Sequence, residues 1–189
     1  DNLGSTELSF PCCSQGKSCC DVSGALLRTE SSRLDSSPFP GKADLIEDSP
    51  RVKPDIREFF DVLPRGIKRD VKEIDTIVLH HSGSNSLSEY TKYLKSKSYS
   101  VHYIIDKSGV IYQFIPDDFI AYHVNDGSST NQYQNNLRSI GIDLLNSGLP
   151  DDLFSVDQYK SLNSLLDYIT FNYKLNYDRV YMYKLLADK

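Results

Sequence analysis

The sequence predicts an α/β fold, a single domain with a mixed β-sheet flanked by helices, and three observations predict it. Two short runs, TIVLHH (76–81) and SIGIDLL (139–145), have the length and branched apolar content of buried strands. A third stretch, VHYIIDKSGVIYQFI (101–115), holds two β-rich runs joined around Lys107–Ser108–Gly109, the pattern of a hairpin. Amphipathic segments at helical spacing lie between the strands, giving the order β, α, β, β, loop, β, α, β.

Each element has its own warrant. Strand Asp75–His81 ends in two histidines. Alternation places Thr76, Val78 and His80 on one face and Ile77, Leu79 and His81 on the other, so only one histidine serves a given site. A helix is expected over 86–97, with Leu87, Tyr90 and Leu94 as its apolar stripe. Residues 116–136 read as one long polar connection carrying IAYHV. In the strand at 139–146, Ser139, Gly141 and Asp143 share a face; a carboxylate there is costly unless that face is a polar site. Ser155 and Gln158 form a capping box, which opens a helix with Tyr159, Leu162, Leu165, Leu166, Ile169 and Tyr173 as its apolar face. RVYMY, within 178–183, reads as the last strand.

Three regions are expected. Residues 1–50 are a Cys-containing, Ser- and Pro-rich leader or linker without sustained periodicity. Residues 51–72 are transitional and carry a short helix: Pro54 suits its first turn, and Ile56, Phe59, Phe60 and Leu63 fall at helical spacing. Residues 73–189 form the domain. The chain begins at Asp1 rather than Met, which reads as a processed form or a fragment. Cys12, Cys13, Cys19 and Cys20 point to an oxidising compartment and a disulfide-tied knot, ahead of a metal loop because the CxxC spacing of zinc ribbons is absent. Their pairing is open. A formal net charge of −5 gives no basic signature for nucleic acid, and no apolar run is long enough to span a membrane as a helix.

In order along the chain, TIVLHHSG (76–83), SVHYIIDKSGVIYQFIPDD (100–118), IAYHV (120–124), NNLRSIGIDLLNSG (135–148) and FSVDQYKSLNSLLDYI (154–169) resemble the type 2 N-acetylmuramoyl-L-alanine amidases. The fold of those zinc peptidoglycan amidases is shared by the peptidoglycan recognition proteins. The resemblance implies one zinc ion, with His80 as a metal ligand, and peptidoglycan or muropeptides as the partner. It implies Asp143 as the catalytic carboxylate, one methylene shorter than the glutamate the family often carries. Ser82, His102, Tyr103 and His123 fall at substrate-binding positions. The reaction implied is cleavage of the amide between N-acetylmuramic acid and the L-alanine of the stem peptide by zinc-activated water. The implied setting is the cell envelope (periplasmic) or the extracellular space.

The sequence departs from the family pattern at its end. Tyr183 stands where the family has its second ligand, a histidine. The third ligand and a catalytic lysine have no counterpart before Lys189, and Asp188 and Lys189 do not match their spacing. A non-catalytic peptidoglycan-binding module is therefore the alternative reading.

Overall fold

The structure is a computed structural model that describes residues 51–125 and 129–183. They belong to a compact unit that begins at Arg51. The four cysteines, Asp188 and Lys189 lie outside the described residues.

Six strands form one mixed sheet in the order β1-β4-β3-β5-β2-β6. They are β1 (Ile56–Glu58), β2 (Thr76–His81), β3 (Tyr103–Ile105), β4 (Ile111–Gln113), β5 (Ser139–Leu144) and β6 (Val180–Met182). Only β3 and β4, the expected hairpin, pair antiparallel. Three α-helices accompany the sheet among the described residues: α1 (Leu87–Ser96), α2 (Ser129–Arg138) and α3 (Val156–Tyr173).

Strand alternation sorts the core onto two faces. Ile77, Leu79, Ile140, Ile142 and Leu144 pack with Leu162, Leu165, Leu166 and Ile169 of α3. Tyr90 and Leu94 of α1 pack with Ile104, Tyr112 and Phe114 on the other face. In α3 the expected capping box forms, Ser155 accepting from the Gln158 amide and Gln158 from the Ser155 amide. Gln158, rather than Tyr159, takes the first buried position. Its Nε2 donates to the carbonyls of Ile105 (3.3 Å) and Leu145 (2.8 Å), so the amide is satisfied where an apolar residue was expected.

Two expectations are corrected. The short helix expected in 51–72 is instead edge strand β1, in register Ile56↔Ile111. The Phe59 amide continues the pairing by donating to Gln113 O at 2.8 Å, and the Phe59 ring meets Tyr112 and Phe114. Pro54 and Pro64 leave too short a stretch for a stable helix, while the open edge of β4 offers backbone partners. The long connection expected through 136 is also shorter: α2 runs from Ser129 to Arg138 and leads straight into β5. Its Asn-rich sequence, with Tyr133 and Leu137 as its only large apolar residues, hides the helical period. Arg69, from the segment taken as transitional, caps the end of α2. Its Nη1 donates to the carbonyls of Asn136, Leu137 and Ser139 at 3.2, 2.8 and 2.8 Å.

Candidate functional site

On the α1 face, β2 and β5 run parallel with His80 in register with Asp143. Neighbouring strands stand about 4.8 Å apart, so the two residues sit side by side on one face. His80 is half-buried, and its Nε2 lies 3.1 Å from Nδ1 of His123. His123 arrives from the loop after β4 and is fixed at both ends. Asn136, 2% exposed, accepts from the amides of His123 (3.1 Å) and Val124 (2.9 Å) and donates to Val124 O (3.0 Å). The ring lies on the bare backbone of Gly141, where an added Cβ would fall 2.6 Å from His123 Cγ. Glycine is needed there for space.

The hydrogen bonds assign the tautomers. Ser139 Oγ donates to Asn135 O at 2.5 Å, so it accepts from His123 Nε2–H at 3.1 Å. His123 Nδ1 is then an acceptor and takes the proton of His80 Nε2–H. Burial holds both imidazoles well below their ordinary range, so both are neutral at pH 7. The Tyr183 ring packs against His80 with centroids 4.8 Å apart, and its hydroxyl donates to Asn125 O at 2.6 Å.

Asp143 is 2% exposed. The Tyr90 hydroxyl, reaching across from α1, donates to its Oδ2 at 2.5 Å. Its Oδ1 is buried and has no hydrogen-bond partner among the described residues. Burial pushes the carboxyl up to about 7, and the Tyr90 bond opposes that rise.

The other expected site residues are buried. His102 is 0% exposed. Its Nδ1 accepts from the Gly141 amide at 3.0 Å, its Nε2 lies 2.9 Å from Arg69 Nη2 and 3.1 Å from Phe119 O, and its ring backs His123 at 5.7 Å. Tyr103 is buried on the α3 face, its hydroxyl on Asp117. Ser82 pins a turn: its Oγ donates to Ser84 O at 2.6 Å and accepts from the Asn146 amide at 3.1 Å. The family resemblance put these three at substrate-binding positions; in the structure all three side chains are buried and hydrogen-bonded within the protein. Three residues that support the site, Tyr90, Arg69 and Asn136, carried no functional signal in the sequence. Tyr90 read as one apolar position in a helix stripe.

Catalytic zinc takes three protein ligands. Among the described residues no group of three His, Cys, Asp or Glu side chains converges. His80 and His123 bring two nitrogens together, but one proton already bridges them and Tyr183 covers His80. The described residues therefore do not complete a zinc site.

A sequence model of the N-acetylmuramoyl-L-alanine amidase family matches residues 70–184. Comparison with curated protein sequences finds no match. Among solved structures, the chain is similar to the N-acetylmuramoyl-L-alanine amidase LysC from Clostridium intestinale URNW, with a TM-score of 0.55 and 21% identity over 70% of this chain and 84% of that one. It is similar to PlyL, with a TM-score of 0.52 and 19% identity over 72% and 85% of the two chains. The hydrolase AmiA of Staphylococcus aureus, in complex with its ligand, gives a TM-score of 0.52 and 21% identity over 71% and 68%.

Proposed function

The chain belongs to the N-acetylmuramoyl-L-alanine amidase family, and from that premise we propose that it is a peptidoglycan hydrolase. Its substrate bond is the amide between the lactyl group of N-acetylmuramic acid and the L-alanine of the stem peptide. The observation that carries this reading is Asp143, a buried carboxylate with one unengaged oxygen that ionises near pH 7. A base of that strength accepts a proton from an attacking water at neutral pH and returns it to the leaving amine. His123 and His80 are half-buried on the same face, which supports His123 as a substrate contact and His80 as the metal ligand the family implies. Zinc is the cofactor the family resemblance implies. The ligand set in the described residues is incomplete, so the roles assigned here stay with the protein's own side chains. A cell-wall substrate supports a periplasmic or extracellular location. No helix among the described residues is long and apolar enough to cross a membrane.

A second reading, a peptidoglycan-binding module without hydrolysis, is favoured by one observation. Tyr183 packs on His80 where a further ligand would stand. The experiment that separates the two is incubation of the chain with a defined muropeptide, zinc supplied, followed by mass spectrometry. Release of a stem peptide with a free L-alanine amino group supports the hydrolase. Retention on insoluble peptidoglycan with no release supports the binding module, and the absence of both release and retention overturns both readings.

A further inference from the structure

We propose that Tyr90 is a positioning residue for Asp143, holding its carboxylate by Oδ2 so that Oδ1 stays free for the proton it takes. This rests on the hydrolase reading for its consequence, but the geometry stands by itself. Tyr90 is 6% exposed and Asp143 2%, so water screens neither. The 2.5 Å bond between them is the only hydrogen bond to the carboxylate among the described residues. A carboxylate with a single donor is free to turn about its last bond unless that donor is itself fixed. Tyr90 is fixed: its ring is wedged in the core under α1 beside Tyr93, at 6.3 Å between centroids, and its hydroxyl has no other partner among the described residues. A phenylalanine would fill the same apolar stripe, so packing does not account for the hydroxyl.

The structural alternative is that Tyr90 merely finds the nearest acceptor. A carboxylate kept only for stability would engage both oxygens, because a buried unpaired oxygen is destabilising. Asp143 leaves one unpaired. Its neighbour across the strand pair is His80 on β2, and among the described residues the hydroxyl from α1 is the one donor that reaches it.

The test is Tyr90→Phe, which removes one oxygen and keeps the ring. Steady-state hydrolysis of the muropeptide is measured across pH for the wild type, Tyr90→Phe, Asp143→Asn and the double variant. The expected result is KM within about twofold and kcat lower by about tenfold to a hundredfold, with the acid limb of the profile moved to higher pH. In the Asp143→Asn background the second change should cost nothing more. An unchanged kcat and acid limb in Tyr90→Phe overturns the proposal, and so does a full further loss in the double variant. If the wild type does not hydrolyse the muropeptide, the hydrolase reading fails by itself. Carbon-13 NMR titration of the Asp143 carboxyl then decides on Tyr90: a higher midpoint in Tyr90→Phe supports it, and equal midpoints refute it.

Discussion

Asp117 and Asp143 are both aspartates held by tyrosine hydroxyls, and they differ in what is left over. Asp117 Oδ1 accepts from Tyr103 at 2.9 Å and from Gln113 Nε2 at 3.2 Å. Its Oδ2 accepts from Tyr173 at 2.7 Å and from Tyr103 at 3.1 Å. These donors come from β3, β4 and α3, so Asp117 ties hairpin and helix together with both oxygens engaged. Among the described residues Asp143 has one donor and one oxygen without a partner. Burial raises both carboxyls, but at Asp117 several hydrogen bonds and Arg69 oppose the rise, and at Asp143 only Tyr90 does. The contrast separates a polar group that holds the fold from one that we propose is held for chemistry.

The largest expected effect breaks that contrast on the functional side. Asp143→Asn should lower amide hydrolysis by about a hundredfold or more, with no loss of melting temperature. The linkage sign follows from a carboxyl raised to about 7 in the folded state against its ordinary range near 4. Its contribution to stability is fully present below about pH 4 and is lost as pH rises to about 7. Urea melts at pH 5 and pH 8 should show that decline in the wild type and not in Asp143→Asn.

On the structural side, Asp117→Ala strands the hydroxyls of Tyr103 and Tyr173 and the Gln113 amide. We expect a loss of about 2–3 kcal/mol in urea melts, with activity per folded molecule kept. Loss of activity without loss of stability would erase the distinction between the two aspartates. Gly141→Ala tests the site's floor. The new Cβ must push His123 away, at a cost of about 1–3 kcal/mol, and the imidazole NMR signals of His80 and His123 should both move. The smallest effect is Ser155→Ala, which opens the α3 capping box for about 1 kcal/mol and should leave hydrolysis unchanged.

What the sequence made legible was local. β2 and β5 could be read because their apolar residues alternate within strand length, and α3 because Ser155 and Gln158 signal its start. Alternation gave each of Asp143 and His80 its face within its own strand, and the parallel register of β2 and β5 brings the two together. The meeting of His80 with His123 was not legible. They are 43 residues apart, and their contact depends on the missing side chain of Gly141 and on Asn136 gripping the loop. Tyr90 was read as an apolar position because a helix stripe fixes the direction of a side chain and not the partner of its hydroxyl. β1 was misread because Ile56, Phe59, Phe60 and Leu63 fit a helical period, while the partner that made them a strand edge lies at Ile111.

The most direct test of the account is the initial rate of stem-peptide release from a defined muropeptide, compared among wild type, Asp143→Asn and Asp117→Ala at matched folded concentration. The account predicts release by the wild type and by Asp117→Ala, and a rate about a hundredfold or more lower for Asp143→Asn. No release by the wild type, or equal rates in the wild type and Asp143→Asn, would contradict it.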